Sequence, residues 1–414
     1  MFQKSKIIND PLYGLIKIDS GIIQELIDHR FFQRLRRIKQ TGLADYVYPG
    51  SVHTRFQHSI GAMHLLSLAI DILKSKGQQI TAEEEEATKI AILLHDIGHG
   101  PFSHCLEGFF TNKQKHEKIT LFFMQLLNAD FNGKLDMAIK IFKNEYHKKF
   151  LHQLISSQLD MDRLDYLKRD SFFTGVVEGN IGIDRIIQML DVVNDNLVVE
   201  AKGIYSIEKF LIARRFMYWQ VYYHKTVVAA ENLIQTIINK LFLFALDENF
   251  YDLKKTTLKL LRNKLDINLW NSENIILFEN LDDFEVFSDI KKIKNFCLDK
   301  DPIFVSLANM LINRNLPKIY FSNNPFSENY IQNLSSLIKD YYKIENNDVQ
   351  WFLYQGEISN NTYNGKQENI KFLINNEIKD ITEVSDLFNI DVIDKEIKKY
   401  YICIPQEIRK IFLG

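Results

Sequence analysis

The sequence predicts a mainly α-helical protein with a smaller α+β lobe at its C-terminal end. Residues that interrupt helices are few, since the 414 residues include 7 prolines and 17 glycines. Apolar residues recur at helical spacing over several long segments, whereas short β-rich segments alternate with short helices only after about residue 300. We therefore expect a helical domain at residues 1–300 and an α+β lobe at residues 301–414.

Five segments have the apolar periodicity of a helix: residues 20–29, 58–74, 81–94, 151–169 and 204–243. The third opens at Thr81 and has acidic residues at 83–86, in the first turn, where negative charge suits the helix dipole. It becomes wholly apolar towards Leu94 and then meets His95 and Asp96. Two polar side chains at a buried helix end need partners, which makes this point a candidate site.

Short strands are expected at residues 197–200, 318–322, 349–354, 370–373 and 399–404. The first of them precedes Lys202 and Gly203, which we interpret as the turn of a small hairpin. The other four belong to the α+β lobe.

Charge and cysteine content exclude several classes of protein. A net charge of −2 argues against the broad basic surface that non-specific nucleic-acid binding needs, but it allows a local basic pocket for a phosphorylated small molecule. The 3 cysteines have no metal-ligand spacing, which predicts reduced thiols rather than disulfides. The first residues lack the apolar run of a signal peptide, and no apolar stretch of roughly 18 residues occurs. We therefore expect a cytoplasmic protein that does not span a membrane.

Histidines cluster in one part of the chain: seven of the 11 fall between His53 and His116. Two histidine motifs, at residues 53–58 and 94–104, precede an acidic segment at 160–170. Alone, a His-Asp pair is typical of an ordinary helix end, and a lone Asp162 of an exposed helix face. In combination, imidazoles and carboxylates suit a divalent metal such as iron, manganese, nickel or zinc. Gly98 and Gly100 would let the helix end so that both polar side chains reach one ion.

These motifs resemble the HD-domain phosphohydrolase superfamily, and within it the deoxynucleoside triphosphate triphosphohydrolases, which include bacterial dGTPases and the vertebrate enzyme with a sterile-alpha-motif domain. The resemblance covers roughly residues 7–225 and includes the runs at 9–14, 32–40 and 48–50. The segment at 162–170 narrows it to the triphosphohydrolases. One position departs: Arg163 stands where the vertebrate enzyme usually has Lys. Because Arg can donate two parallel hydrogen bonds to a phosphate whereas Lys is a point charge, we expect the substrate phosphates to be bound differently.

The resemblance implies that the helical domain is an HD-type core with a metal site within residues 50–170. The implied cofactor is a divalent ion, namely manganese, iron, nickel, zinc or magnesium. Four residues would hold it: His58, His95, Asp96 and Asp162.

The resemblance also implies residues that bind a deoxynucleoside triphosphate. Contacts with the triphosphate are expected from Arg55, Arg163, Tyr166 and Arg214. Contacts with the sugar or base are expected from Gln40, Asp170 and Tyr222. A triphosphate carries about four negative charges at neutral pH, so several cations should converge on it.

The implied reaction is hydrolysis of dGTP or other dNTPs to a deoxynucleoside and triphosphate. A metal-bound water is acidic enough to supply hydroxide near neutral pH for attack on the α-phosphorus. The 5′-oxygen is a poor leaving group as an alkoxide, so a general acid is needed. His104 is the candidate acid, with Glu107 placed to orient it and with His99 and His116 as further catalytic candidates.

A second nucleotide site is implied by four positions that match the guanine-specific activator site of the vertebrate enzyme: Lys6, Asp28, Gln33 and Arg36. Without the resemblance they would be typical of a charged helix face. GTP or dGTP bound there would bridge subunits and favour an active tetramer. We therefore expect a homo-oligomer, dimer or tetramer, with the C-terminal lobe contributing contacts.

Two alternatives stay open. The same ion and water serve any phosphoester, so another HD-type nucleotidase or phosphodiesterase has the same metal site. A different class is a single-stranded nucleic-acid binder or nuclease, because 30 Phe and 18 Tyr could stack bases. The net charge makes nucleic acid an unfavourable partner.

Overall fold

The computed structural model describes residues 5–253, 255–263, 266–360, 369–386 and 397–413. The predicted mainly α-helical fold is confirmed. The α-helices in these ranges are α1 (Ile22–Asp28), α2 (Arg30–Gln33), α3 (Arg55–Ser75), α4 (Ala82–Leu94), α5 (His116–Asp130), α6 (Asp136–Phe142), α7 (Lys149–Gln153), α8 (Met161–Thr174), α9 (Ile183–Gln188), α10 (Ile204–Met217), α11 (Lys225–Leu246), α12 (Thr256–Arg262), α13 (Ser272–Glu279), α14 (Asp283–Phe296), α15 (Pro302–Ile312), α16 (Glu328–Tyr342), α17 (Ile381–Val384) and α18 (Gln406–Leu413).

The strands form three small sheets. They are β1 (Lys6–Asp10), β2 (Gly14–Ile18), β3 (Leu190–Val193), β4 (Asn196–Glu200), β5 (Lys318–Ser322), β6 (Tyr354–Asn360), β7 (Lys371–Ile374), β8 (Glu377–Asp380) and β9 (Ile397–Ile404). Strands β1 and β2 make an N-terminal hairpin, β3-β4-β7-β8 make a four-stranded sheet, and β5-β9-β6 make a three-stranded sheet.

Helices α1, α3 and α4 confirm the helices predicted at 20–29, 58–74 and 81–94. The Thr81 hydroxyl caps α4 by accepting the N–H of Glu84 at 3.2 Å, as the acidic first turn suggests. Residues 204–243 form α10 and α11, separated by a π-helical turn at Tyr218–Tyr222.

The continuous helix predicted at 151–169 is wrong. Helix α7 ends at Gln153, and α8 begins only at Met161. The Asp160 carboxylate accepts the N–H groups of Ser157 and Arg163, both at 2.7 Å, so it caps a new helix instead of continuing the old one. Because of this break, the first turn of α8 lies beside the start of α3 and the end of α4.

The predicted strands at 318–322, 370–373 and 399–404 are confirmed as β5, β7 and β9, whereas the strand at 349–354 is wrong. Residues Asn346–Trp351 form a 3-10 helix, because the Val349 carbonyl accepts the N–H groups of Phe352 and Leu353 at 2.9 and 3.0 Å. Strand β6 starts only at Tyr354.

The hairpin prediction is correct for β4 but wrong for its turn. Strand β4 pairs with the preceding strand β3, and the turn lies at Asn194 and Asp195, whose φ angles are 50° and 61°. Asn and Asp adopt such left-handed angles more readily than other non-glycine residues. Lys202 and Gly203 instead belong to a short 3-10 helix at Ala201–Gly203.

Residues on both sides of position 300 share one sheet and one core. Strand β7 pairs in parallel with β4, with Phe372 opposite Val199. One hydrophobic cluster contains Ile60 and Leu93 together with Leu307 and Phe372. The division at residue 300 stays a prediction.

Two helices, α3 and α11, are long and apolar enough to cross a membrane by length and composition alone. In each, 67% of the apolar window is buried inside the protein, as in core helices. Helix α3 packs against both α4 and α8, and these three helices position the candidate site.

Candidate active site

Three helices bring predicted metal ligands together. Helix α3 places His58 in its first turn, α4 ends just before His95, and α8 places Asp162 in its first turn. Ligand atoms of these three residues all lie within 4.8 Å of one another. His58 is fully buried, whereas the Asp162 side chain is 31% exposed, so the group opens to solvent on the Asp162 side.

The distances within this group suit one shared cation. His58 Nε2 lies 3.3 Å from His95 Nε2 and 3.0 Å from Asp162 Oδ1, and His95 Nε2 lies 3.6 Å from the same oxygen. Ligands about 2.1 Å from one ion are separated by roughly 3.0–3.4 Å in octahedral or tetrahedral geometry. Asp96 adjoins both imidazoles, with Oδ1 3.4 Å from His95 Nε2 and Oδ2 3.8 Å from His58 Nε2.

The hydrogen bonds of the two imidazoles show that the donor set fits a divalent metal. His95 Nδ1 lies 2.6 Å from the Ile92 carbonyl, which only accepts, and His58 Nδ1 lies 2.8 Å from Asp165 Oδ2. When both rings are neutral, their Nδ1 atoms therefore donate, which leaves the two facing Nε2 atoms with lone pairs that cannot hydrogen-bond each other. A cation between the two Nε2 atoms would accept both lone pairs and remove their mutual repulsion.

The electrostatics of the site also favour positive charge. Burial opposes a charge on His58, but hydrogen bonds with Asp162 and Asp165 outweigh burial and raise the pKa of this imidazole to about 10. Burial likewise opposes ionisation of Asp162, yet the neighbouring His95 and His58 hold its pKa well below the usual range. The carboxylate of this group is therefore ionised at neutral pH.

A loop follows α4 and must pass close to helix α5. The Gly98 N–H donates to Thr120 Oγ1 at 3.0 Å, and that hydroxyl donates to the His95 carbonyl at 2.8 Å. A Cβ at Gly98 would overlap the backbone of Thr120 and His116. Gly98 is therefore required by the close approach of α5, which positions His116 beside the site.

The predicted catalytic residues form a second imidazole cluster. Ligand atoms of His99, His104 and His116 lie within 4.8 Å of one another, and the His99 and His116 rings stack with centroids 3.7 Å apart. His99 Nδ1 lies 3.1 Å from Asp96 Oδ1, which joins this cluster to the metal-ligand group. The His104 side chain is 67% exposed and therefore accessible to a substrate.

Glu107 holds two members of this cluster. Its Oε1 lies 2.6 Å from His116 Nδ1, and its Oε2 lies 3.6 Å from His104 Nδ1. Burial raises the pKa of this carboxyl, but hydrogen bonds with His104 and His116 outweigh burial and hold the pKa far below the usual range. Glu107 is thus an ionised acceptor that fixes the His116 ring and lies beside the His104 ring.

A cavity of about 20 Å³ adjoins the imidazole cluster, and its walls include His99, Glu107, Thr111, Gln114 and His116. This volume holds one water molecule, for which the walls supply polar partners. A single ordered water therefore fits behind His99 and His116.

Two of the predicted triphosphate-binding arginines have protein partners in this structure. Arg55 forms an ion pair with Asp96, and its Nε donates to Ser103 Oγ at 2.9 Å. Arg163 Nε lies 3.1 Å from Asp160 Oδ2. Both guanidinium groups border the metal-ligand group, but their positions are set by these carboxylates.

Arg214 differs, because among the described residues no carboxylate lies within 4.0 Å of its guanidinium. The residue is only 9% exposed; its NH1 donates to Gln158 Oε1 at 3.1 Å, and its Nε is buried without an acceptor. Burial raises the pKa of Tyr166, and the opposing charges of Arg214 and Arg163 act on the same phenol. Tyr166 is therefore within electrostatic range of both arginines.

The residues expected to contact sugar or base form one buried network. Asp170 Oδ1 lies 2.7 Å from His53 Nε2, and the Tyr222 hydroxyl donates to Asp170 Oδ2 at 2.6 Å. The Gln40 backbone N–H donates to the His53 carbonyl at 3.0 Å, while the buried Gln40 side-chain oxygen has no donor in the described part of the chain. His53 was missed as a site residue, although its place at the start of the 53–58 motif was a signal.

The four positions expected to bind an activator form two pairs of contacting side chains. Lys6 pairs with Asp28, and Arg36 Nε donates to Gln33 Oε1 at 2.8 Å. The Arg36 guanidinium also lies 3.6 Å from the centroid of the Phe56 ring. Phe56 belongs to α3 and precedes His58 by two residues, so Arg36 packs on the same helix that carries a predicted metal ligand.

Comparison with known proteins identifies the class. The HD domain family model matches residues 55–170, and the model of an HD-associated region matches residues 181–257. A crystal structure of a phosphohydrolase from Bacteroides thetaiotaomicron has a TM-score of 0.91 and 45% identity, and the match covers 97% of this chain and 100% of that chain. The fold and the site thus define a protein of the HD class.

The chain belongs to the HD-domain phosphohydrolase superfamily, and within it resembles SAMHD1-type proteins. It is 30% identical over 286 residues to human deoxynucleoside triphosphate triphosphohydrolase SAMHD1, a match that covers 58% of this chain and 45% of SAMHD1. It is 34% identical over 245 residues to the uncharacterized protein YwfO of Bacillus subtilis. That match covers 58% of this chain, and the chain spans 56% of the length of YwfO.

Proposed function

We propose that this protein hydrolyses deoxynucleoside triphosphates to deoxynucleoside and triphosphate at a divalent metal held by His58, His95, Asp96 and Asp162. The observation that carries the proposal is Arg214, a buried guanidinium without a carboxylate partner among the described residues, whose charge acts on the Tyr166 phenol together with that of Arg163. A buried cation of this kind is stabilised by an anionic ligand. The similarity to SAMHD1 supports a dNTP as that ligand.

Held by these four residues, a divalent metal would lower the pKa of a water molecule enough for it to attack at neutral pH. The water oxygen forms a bond to the α-phosphorus and releases a proton to the medium, while the bond from phosphorus to the 5′-oxygen breaks. His104 donates a proton to that oxygen, because it is the exposed member of the imidazole cluster and Glu107 orients its ring. Arg214 and Tyr166 hold the triphosphate, and Asp170 with Tyr222 and Gln40 faces the sugar.

The direct test is product analysis by anion-exchange chromatography after incubation of manganese-loaded protein with each dNTP, with and without GTP. The proposal expects intact triphosphate and deoxynucleoside, and it expects this activity to be absent in His95→Ala. His147→Ala is the matched control, because this histidine is exposed and its ring packs against the neighbouring Tyr146. Orthophosphate or pyrophosphate as product would contradict the proposal and favour the nucleotidase or phosphodiesterase alternative.

We further propose that Lys6, Asp28, Gln33 and Arg36 bind an activating GTP or dGTP and that the nucleotide favours a homo-oligomer. The support is the proximity of these side chains: each lies in a contact with another member of the set. The two cations, Lys6 and Arg36, suit the phosphates of a nucleotide. Sedimentation velocity with and without GTP tests the idea, and an unchanged species with an unchanged hydrolysis rate would refute it.

A further inference from the structure

A buried series of charged side chains connects His58 to the N-terminal hairpin. Asp165 Oδ2 accepts from His58 Nδ1 at 2.8 Å. Arg169 grips the same carboxylate with two parallel hydrogen bonds, from Nε and NH2, each of 2.9 Å. Its remaining nitrogen, NH1, donates to Asp10 Oδ2 at 2.7 Å. Arg169, Asp165 and His58 have no solvent exposure, and Asp10 is 7% exposed.

This geometry fixes the orientation of the His58 ring. A bidentate guanidinium–carboxylate pair holds both groups in one plane, so Asp165 has little freedom to rotate. A carboxylate that accepts from the outer nitrogen of a metal-binding imidazole sets the direction of the inner nitrogen and raises its basicity. Arg169 is therefore a positioning residue that acts on His58 through Asp165.

Asp10 takes part in the hairpin as well as in this series. Its second oxygen, Oδ1, accepts the N–H groups of Leu12 and Tyr13 at 2.9 and 3.2 Å and thereby closes the turn between β1 and β2. The ring of Tyr13 covers the network, with the Arg169 guanidinium carbon 5.6 Å from the ring centroid. The hairpin is thus attached to Arg169 by an ion pair and by the packing of its turn.

The network has no room to rearrange. Helix α3 passes over it at Gly61, where a Cβ would overlap both the Asp165 carboxylate and the Arg169 guanidinium. Loss of one buried ionic partner would leave the others uncompensated, because water cannot replace it at this depth. A substitution at Asp10 should therefore alter the positions of Asp165 and His58.

We propose that Asp10 and Arg169 couple the docking of the N-terminal hairpin, residues 6–18, to the affinity of the metal centre at His58. The coupling is reciprocal: the docked hairpin strengthens metal binding, and bound metal stabilises the docked hairpin. This inference rests on the proposed metal centre but is independent of the proposed substrate.

The first test is Asp10→Asn, which keeps an oxygen for the turn but places an amide NH₂ against Arg169. Manganese affinity is measured by competition with a fluorescent chelator, in the absence of nucleotide. We expect binding roughly 10- to 100-fold weaker than in the wild type, the range for loss of a partner behind a metal ligand. The matched control is Asp19→Asn, which removes the pair with Lys89 at the end of the same hairpin and should leave the affinity unchanged.

Hydrogen exchange of the wild-type protein gives a second test that does not depend on a variant folding. Bound manganese should slow amide exchange in β1 and β2 relative to the metal-free protein. The inference would be overturned if Asp10→Asn bound manganese within twofold of the wild type, or if Asp19→Asn lost as much affinity as Asp10→Asn. It would also be overturned if manganese did not change amide exchange in the hairpin. A wild-type protein that binds no manganese would overturn the proposed function and this inference together, whereas the outcomes above leave the proposed function intact.

Discussion

Asp283 holds Phe102 in a left-handed backbone conformation from 181 positions further along the chain. Its Oδ1 accepts the Phe102 N–H at 2.7 Å, and the φ angle of Phe102 is 56°. Such an angle is costly for a bulky residue and persists only where the surroundings enforce it. The turn leads directly into the 3-10 helix Ser103–Leu106, which carries His104. The start of α14 therefore determines where the candidate general acid lies.

Replacing Asp283 with Ala should destabilise the protein and misplace His104. The carboxylate also accepts the Lys39 N–H at 2.9 Å, so the substitution leaves two N–H groups without an acceptor. At about 1–3 kcal/mol for each such group, we expect a loss of about 2–6 kcal/mol in urea denaturation. Asp299→Ala, at an exposed position, is the control and should stay within about 0.5 kcal/mol of the wild type. Equal stability of the two variants would contradict the role of Asp283.

Asp283 should also make stability depend on pH. Burial raises its pKa to about 6, although the N–H groups of Lys39 and Phe102 oppose the shift. An unfolded Asp has a pKa of about 3.9, so folding favours the protonated carboxyl, and this contribution is present at low pH and lost as the pH rises through 6. The unfolding free energy of the wild type minus that of Asp283→Asn should fall by about 2 kcal/mol between pH 4.5 and 7.5. A constant or rising difference would show that the carboxyl is already ionised at the lower pH.

Gly61→Ala should weaken both folding and metal binding. The added methyl group would overlap Asp165 and Arg169, which are themselves fixed by the ionic network. We expect a loss of about 1–3 kcal/mol, as for other overpacked sites, together with weaker manganese binding. Gly182→Ala is the matched control, since a Cβ at Gly182 meets no atom within 4 Å. Thermal unfolding with and without manganese measures both effects, and wild-type behaviour of Gly61→Ala would contradict the proposed rigidity of this contact.

Arg214→Gln should lower activity without lowering stability. The substitution removes a buried charge that has no carboxylate partner among the described residues, so the folded protein loses little. A triphosphate would lose a charged contact, for which we expect kcat/KM to fall at least tenfold, about 1.4 kcal/mol of transition-state stabilisation. Arg215→Gln provides the neighbouring control and should retain wild-type kinetics. A destabilised Arg214→Gln with unchanged kcat/KM would assign this arginine to the fold instead of the substrate.

His104→Ala should lose turnover while it keeps its metal. General acids contribute roughly 10²- to 10⁴-fold, so kcat should fall within that range. The metal-to-protein ratio, measured by atomic emission, should equal that of the wild type, because His104 lies outside the group formed by His58, His95 and Asp162. Glu107→Gln should give a smaller fall in kcat, since it alters only the orientation of the ring. Near-wild-type turnover in His104→Ala would rule out the acid role.

Local sequence patterns were sufficient to predict several of the helices in this fold. Apolar periodicity predicted α1, α3 and α4, and the Thr81 cap predicted where α4 begins, because these signals involve residues within one or two turns of each other. The same reasoning failed at 151–169, where periodicity continues across a break. Asp160, which ends one segment and caps the next, was treated there as a position inside a helix.

The sequence by itself predicted which side chains carry chemistry: the histidine motifs and the acidic segment at 160–170, with the family resemblance they support, indicated the proposed metal ligands. Tertiary structure alone decided what holds those side chains in place. Asp165 lies 107 positions from His58, Asp283 lies 181 positions from Phe102, and Asp170 lies 117 positions from His53. Such partners are chosen by the packing of whole helices and by the need to satisfy buried charge, and neither has a period or a motif along the chain.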